Sequence, residues 1–350
     1  MSVATSNAPS IRLSETEAHH FLGIDVGGTD VKFGLVDHQG KLIKTGREST
    51  PVLGTPRRVF DHALRWAAEA IGGRDDDAHV GARLTAVGVA VPGVLDTSTS
   101  RLREVVNLPG WLDVPLLDQL QTASGLPSAV LNDANAAALA EHAIRGLGRR
   151  SLALVTLGTG IGCGLVLGGE PFGGDHGCAG ELGHIAIAFD DAAIPCTCGS
   201  RGHLESYAGA AGVTSRLASK MLAAGRDPRA SAAWTPREIS RRGEAGDDLC
   251  IEVIDETAIY VGRAIGLLSQ SVDPAVVLLG GAMTFGGSDT KMGQRFLKRV
   301  LVEVRRTTLV QVGGNVVIEF ASLKNEAGML GAAMHASTLV AGNLAATPKS

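Results

Sequence analysis

Apolar and polar positions along the chain follow two rhythms. Runs of strand length cover Phe21–Val26 and Val31–Val36, joined by a Gly-Gly turn. A third covers roughly Lys41–Glu48, after the hairpin turn Asp37-His38-Gln39-Gly40. The period then changes. Over Pro56–Ile71, Val59, Ala63, Trp66, Ala67 and Ala70 share one face of a 3.6-residue repeat, which predicts an amphipathic helix. The charged run Arg74–Asp77 reads as a solvated loop. Leu84–Val91 reads as a buried strand stopped by Pro92-Gly93. A short strand over 128–131 leads into a helix that Asn132-Asp133 open and that runs to about Arg145.

A similar order then begins again. Leu152–Leu157 predicts a strand, Gly158–Gly162 a glycine turn and Gly162–Leu167 a second strand. This strand–GTG–strand unit repeats the strand–GGT–strand unit at 21–36. Two related α/β halves with a cleft between them follow from it, although short glycine turns also recur by chance. Further on, Leu249–Ser271 predicts a long helix and Ala275–Leu279 a buried strand running into Gly280-Gly281. Val316–Ile318 predicts a late strand, and Glu326–Val340 a terminal helix rich in alanine.

Composition narrows the class. With 350 residues the chain has room for two domains, and 45% hydrophobic residues mark a globular protein. Aromatics are only 4% while glycines number 46, which favours tight turns and close backbone approaches over an aromatic ligand groove. A formal charge of −4 leaves no basic surplus for nucleic acid or an anionic membrane. The five cysteines, Cys163, Cys178, Cys196, Cys198 and Cys250, form no regular framework, which argues against an oxidised secreted scaffold. Residues 1–20 are polar and lack the apolar segment of a signal peptide, so they read as a disordered extension. No apolar run is long enough to span a bilayer, and a cytoplasmic location is the expectation.

Four segments carry candidate chemistry. ELGHIAIAFDDAAIPCTCGSRGHLE, from Glu181 to Glu205, holds His184, Cys196, Cys198 and His203 between two carboxylates. Two imidazoles and two thiolates suit a tetrahedral zinc. Such an ion would fix the backbone that presents Glu181 and Glu205 to a polyhydroxylated substrate. A loop with a Cys-x-Cys and scattered histidines is the plainer alternative. In Asp25-Val26-Gly27-Gly28-Thr29, glycines at a strand turn leave N–H groups open to phosphate oxygens. Thr29 can add its hydroxyl there, and Asp25 can hold magnesium through water. An ordinary hairpin turn would show the same glycines. Gly158-Thr159-Gly160-Ile161-Gly162 repeats the argument, and Gly280-Gly281 would let an adenine or ribose lie against the backbone or would simply start a loop. In Leu131-Asn132-Asp133-Ala134-Asn135, a helix N-terminus would keep Asp133 ionised, and an ionised aspartate can deprotonate a hydroxyl attacking a γ-phosphate. Asn and Asp are also the preferred helix caps, which would account for one of these residues.

Together these segments resemble the ROK family (repressors, open reading frames and sugar kinases) of the actin-like ATPase superfamily. The matching pieces are DVGGT at 25–29, VPG at 91–93, NLPGW at 107–111, LNDAN at 131–135, GTGIG at 158–162, ELGH at 181–184, CTCGSRGHLE at 196–205 and GG at 280–281. The resemblance implies two actin-like (ribonuclease H-like) α/β domains flanking a cleft. It implies a small domain over 21–133 plus the C-terminal helix 325–345, and a large domain over 134–324 with a zinc-binding loop. It assigns the ATP phosphates to Gly27, Gly28, Thr29, Thr159 and Gly160, and the general base to Asp133. It assigns the sugar to Asn107, Asn132, Asp133, Glu181, His184 and Glu205, with His184 serving zinc through one ring nitrogen and the sugar through the other. The family usually has a third cysteine where this chain has His203, and histidine is an equally competent zinc donor. Loss of the zinc, with a hydrogen-bonded loop remaining, is the alternative.

About 20 residues precede the first strand, too few for the helix-turn-helix domain of the repressor branch. The expected protein is therefore a kinase using Mg-ATP, with structural zinc, acting on the 6-hydroxyl of a hexose. NLPGW and LNDAN favour glucose. N-acylhexosamine or fructose kinases, a polyphosphate donor and a non-catalytic sugar sensor are the alternatives. Family analogy implies a homodimer and no nucleic-acid or membrane partner.

Overall fold

The computed structural model describes residues 19–72, 83–105, 108–231 and 234–345. Two compact units emerge: the first holds the chain through Ile144, residues 173–179 and everything from Asn325 on, and the second holds 145–172 and 180–324. The charged run at 74–77 and the first 18 residues lie outside the described part. His19 and His20, expected in the extension, instead begin the first strand and are buried, with His19 Nδ1 3.0 Å from Thr85 Oγ1.

The first unit is built on strands β1 (His19–Val26), β2 (Asp30–Asp37), β3 (Leu42–Ser49), β4 (Arg83–Val91), β5 (Val94–Asp96), β6 (Arg101–Glu104) and β7 (Ser128–Asn132). Its main sheet has the order β3-β2-β1-β4-β7; β1 to β3 form an antiparallel meander, and β4 and β7 add in parallel. β5 and β6 make a separate hairpin. One face of the sheet packs against the helices Pro56–Gly72 and Leu116–Ser124 through Val59, Phe60, Leu116 and Leu120, with Trp111 edge-on to Phe60.

The other face shows why the last helix, Ala327–Ala345, is so rich in alanine and glycine. Gly34, Gly23 and Gly88 are neighbours in register across β2, β1 and β4, followed by Ala129 on β7. A Cβ on Gly23 would lie 1.7 Å from the Met329 carbonyl oxygen, and one on Gly88 1.9 Å from that of Ala332. The helix thus rests directly on the sheet backbone along a glycine row, a separation at which side chains have no room. Gly331 does the same to a second helix, Asp133–Ile144: a Cβ there would meet the Ala136 carbonyl oxygen at 1.8 Å. That contact holds Asp133–Ile144 against the last helix, and both helices lie in the first compact unit.

The second unit repeats the sheet plan with β8 (Leu152–Leu157), β9 (Ile161–Leu167), β10 (Glu170–Pro171), β11 (Val276–Gly280) and β12 (Val317–Phe320), in the order β10-β9-β8-β11-β12. Again the first three strands are antiparallel and the last two parallel. The long helix Asp248–Val272 is capped by Asp247, whose Oδ1 accepts from the Leu249 and Cys250 N–H groups, and it ends at Asp273 in the left-handed region. It packs on Lys291–Thr307, where Glu303 receives the Arg263 and Arg306 guanidinium groups. Two mixed five-stranded sheets of identical plan make this the two-domain actin-like α/β fold. Among the described residues no helix is long and apolar enough to cross a membrane.

Candidate active site and metal centre

In the first unit, the β1–β2 turn carries the first glycine motif. Gly27 N–H donates to the Asp30 carbonyl (2.9 Å), the Thr50 hydroxyl to the Gly27 carbonyl (2.6 Å) and Thr50 N–H to the Thr29 carbonyl (2.9 Å). The turn's carbonyls are held from behind, and Gly28 and Thr29 stand exposed at its tip. Asp25 sits below, on β1, facing its register partner Lys32 on β2, whose Nζ lies 3.1 Å from Asp25 Oδ2. Burial pushes the Asp25 carboxyl above its ordinary value, and the charge and hydrogen bond of Lys32 oppose that. A Cβ on Gly328 would lie 2.7 Å from Asp25 Oδ1, so the carboxylate lies against the first turn of the C-terminal helix, where negative charge is favoured.

The strand-to-helix junction after β7 settles which of its polar residues caps. Asn132 Oδ1 accepts from the N–H groups of Ala134 (2.9 Å) and Asn135 (3.1 Å), and its Nδ2 donates to the Gly93 carbonyl (3.1 Å). Asn132 is therefore the cap and also the tether of the Pro92-Gly93 turn. Asp133 occupies the first helical position, half-buried, its Oδ1 accepting from Ala134 N–H at 2.8 Å. Asn107 lies outside the described residues.

The second unit gathers most of the other expected residues. At the β8–β9 turn, Gly158 N–H donates to the Gly160 carbonyl (3.0 Å), and Ala210 N–H, at the start of the helix Ala210–Ala223, donates to the Gly158 carbonyl (3.1 Å). Ile161 N–H donates to Glu205 Oε2 at 2.8 Å. Gly281, at φ +89°, lies on the end of β8: a Cβ there would be 2.2 Å from the Leu157 carbonyl oxygen, which accepts the Met283 N–H (2.9 Å). Both glycine features of this unit thus meet at one strand end. Gly180, at φ +92°, sits 2.1 Å (as a would-be Cβ) from the Cys163 carbonyl and sets Glu181 beside β9. Burial, with the Glu181 charge adding to it, pushes the Cys163 thiol up to about 12 and keeps it neutral.

His184, Cys196, Cys198 and His203 converge, with ligand atoms all within 4.8 Å of one another. Cys196 Sγ is 3.8 Å from His184 Nδ1, and Cys198 Sγ is 3.2 Å from His203 Nδ1. A zinc tetrahedron has edges of about 3.3–3.8 Å, so the four donors fit such an ion in chemistry, and the two short separations lie close to those edges within a cluster no wider than 4.8 Å. Short-range backbone bonds shape the loop. Cys196 N–H donates to the Ser200 carbonyl (2.7 Å) and Gly199 N–H to the Cys196 carbonyl (3.0 Å), with Gly199 at φ +93° closing the turn. Burial opposes a charge on Cys196, but hydrogen bonds from Cys198, Ser206 and His203 outweigh it and bring the thiol down to about 6. His203 also forms an isolated bridge with Ala186 and precedes the short helix Leu204–Ala208, so a metal there would fix the start of the helix that carries Glu205.

Two relationships are absent from the sequence reading. Lys32 pairs with Asp25, a contact legible only once the hairpin register places them opposite each other. Glu205 engages the second glycine turn, although nothing in the spacing of 44 residues signals it.

With this geometry the chain also matches known proteins. The ROK family profile matches residues 21–338, and the chain belongs to the ROK family. It is 31% identical to a glucokinase of Halalkalibacterium halodurans over 324 residues, covering 89% of this chain and 93% of the relative. A ROK hexokinase structure from Thermus thermophilus superposes with a TM-score of 0.75 at 32% identity, covering 92% and 99% of the two chains. A ROK family glucokinase from Streptomyces griseus, solved with glucose and AMPPNP, gives 0.67 at 27% identity, covering 91% and 99%. N-acetylmannosamine kinases and xylose repressors stand among the further relatives.

Proposed function

We propose that the protein is a ROK sugar kinase that transfers the γ-phosphoryl group of ATP to the 6-hydroxyl of a hexose, with glucose as the preferred acceptor. The observation that carries this reading is the junction at 132–133. Asn132 caps the helix, so Asp133 is not needed for that task and stands at a helix N-terminus that favours its ionised form. Asp133 takes the proton of the 6-hydroxyl as its oxygen attacks phosphorus; the bond to the β–γ bridging oxygen breaks and ADP leaves. Gly28 and Thr29 in the first unit, and Thr159 and Gly160 in the second, offer backbone and hydroxyl donors to phosphate oxygens, and Gly27, whose N–H goes to the Asp30 carbonyl, shapes the first turn for their close approach. Gly280 and Gly281 take the nucleoside. Asn107, Asn132, Glu181, His184 and Glu205 orient the sugar hydroxyls.

Asp25 would hold magnesium through water, and the ion would supply charge neutralisation to the polyphosphate. His184, Cys196, Cys198 and His203 would hold a structural zinc that fixes the loop between Glu181 and Glu205. A glucokinase among the matched relatives and the glucose-bound ROK structure favour glucose. The N-acetylmannosamine kinases favour a second acceptor class. A coupled ADP assay over glucose, mannose, fructose, N-acetylglucosamine and N-acetylmannosamine tests the reading. The largest kcat/KM is expected with glucose, and no turnover on any of the five sugars would refute it.

A further inference from the structure

We propose that Glu205 is a positioning residue for the nucleotide as well as a sugar ligand, bracing the second glycine turn through the Ile161 amide. This rests on the kinase reading above and deepens it. Near the tip of the β8–β9 hairpin, Leu157 and Ile161 form a non-hydrogen-bonded pair, with Gly158 N–H closing on the Gly160 carbonyl beyond them, so the Leu157 carbonyl and the Ile161 N–H both point out of the hairpin. Met283 N–H takes the first, and Ile161 N–H donates to Glu205 Oε2 at 2.8 Å. The carboxylate lies so close to the turn that a Cβ on Gly160 would be 2.5 Å from Oε2, and one on Gly183 3.3 Å. The helix that carries Glu205 also ends beside the turn: a Cβ on Gly209, which follows that helix, would lie 3.1 Å from the Thr159 carbonyl.

A charged acceptor on a backbone N–H makes one of the stronger hydrogen bonds available to a turn. With Oε2 committed to Ile161, Oε1 is left for a sugar hydroxyl. One side chain then touches both the sugar subsite and the turn assigned to the ATP phosphates. His203, two residues earlier, ties the same segment to the metal quartet. Sugar recognition and nucleotide-turn geometry therefore share a single carboxylate, and loss of its acceptor oxygen disturbs both ligands.

The test separates the acceptor from the charge. Glu205→Gln keeps an oxygen for Ile161 N–H but removes the charge; Glu205→Ala removes both. Hydrogen exchange of the Ile161 amide and titration with ATP in the absence of sugar are read alongside the two KM values. In Glu205→Ala, Ile161 loses protection and ATP affinity falls about 10–100-fold, the worth of a hydrogen bond to a charged group. In Glu205→Gln, Ile161 stays protected and ATP affinity stays within about threefold of the parent, while the sugar KM rises about tenfold or more. Should Glu205→Ala fail to fold, Gly160→Ala displaces the carboxylate from the other side and is expected to show the same loss at Ile161 and for ATP. Unchanged Ile161 exchange or unchanged ATP affinity in a folded Glu205→Ala or Gly160→Ala protein overturns the proposal. Because both readouts work without turnover, a protein that phosphorylates none of the sugars would sink the kinase reading and still decide this one.

Discussion

Asn132 and Asp133 are adjacent in sequence and divide one helix start between them. The Asn132 side chain accepts two N–H groups of the first turn and donates to the Gly93 carbonyl, while Asp133 enters the helix as its first residue. This separates stability from chemistry. Asp133→Asn keeps an acceptor for Ala134 N–H but loses the base, so kcat should fall on the order of 10²–10⁴-fold with little change in melting temperature. Asn132→Ala should instead cost roughly 1 kcal/mol of stability, since it removes a cap, and should also loosen the Gly93 turn. Steady-state kinetics and thermal melts on the two variants check this. Near-normal turnover in Asp133→Asn would require another base.

The glycine row under the last helix makes a purely structural prediction. Gly23→Ala places a methyl group 1.7 Å from the Met329 carbonyl oxygen, a backbone atom that cannot rotate away. The cost should be on the order of 3 kcal/mol or more, because the helix must lift from the sheet. A control in open space is Gly72→Ala, where a Cβ meets nothing within 4 Å, and which should leave denaturant midpoints almost unchanged.

The metal quartet predicts one zinc per chain. Elemental analysis of protein purified without chelator should find it, and His203→Cys, which keeps a zinc donor at that position, should retain it. His203→Ala should lose the zinc and melt earlier, since structural zinc sites contribute folding energy directly. Active enzyme free of zinc would rule out this role.

Glu303 gives a pH test. The Arg306 guanidinium beside it, with Arg263, holds its carboxyl below the ordinary value of 4.5, against the opposing effect of burial. A depressed carboxylate contributes stability above its unfolded value, and that contribution is lost as pH falls through the folded value. Glu303→Gln should therefore be about 1–3 kcal/mol less stable than the parent at neutral pH, with the gap closing only below pH 4.5. Denaturant titrations at pH 7 and at successive pH values well below 4.5 measure it; a gap that does not shrink as the pH falls through that acid range would contradict the ion-pair account.

Much of this molecule was legible in its sequence, because its signals are local. Leu152–Leu157 was read with the limits the structure gives it, and the helix Pro56–Gly72 was read to within one residue. The repeated strand–glycine turn–strand pattern reflects two sheets with the same strand order. The metal donors were legible because sulfur and imidazole cluster in a short glycine-rich stretch. What the sequence reading lacked was long-range. The hairpin Val94–Asp96 with Arg101–Glu104 is too short to show a period. Lys291–Thr307 did carry a usable signal: Thr290 caps it, and Met292, Phe296, Val300 and Val304 recur at four-residue spacing, yet the dense charges around them hide the stripe. The packing of Asp133–Ile144 on the last helix rests on Gly331 meeting Ala136, a contact between segments nearly two hundred residues apart. The Glu205–Ile161 bond is of the same kind.

The central claim is phosphoryl transfer from ATP to a hexose with Asp133 as base, and phosphorus NMR of the reaction tests it most directly. Purified protein mixed with Mg-ATP and glucose should convert the γ-phosphate resonance into that of a sugar 6-phosphate, with ADP formed in equal amount, and Asp133→Asn should show neither change on the same timescale. Glucose and the four other sugars all leaving the ATP resonances intact, with folded and zinc-loaded protein, would contradict the account.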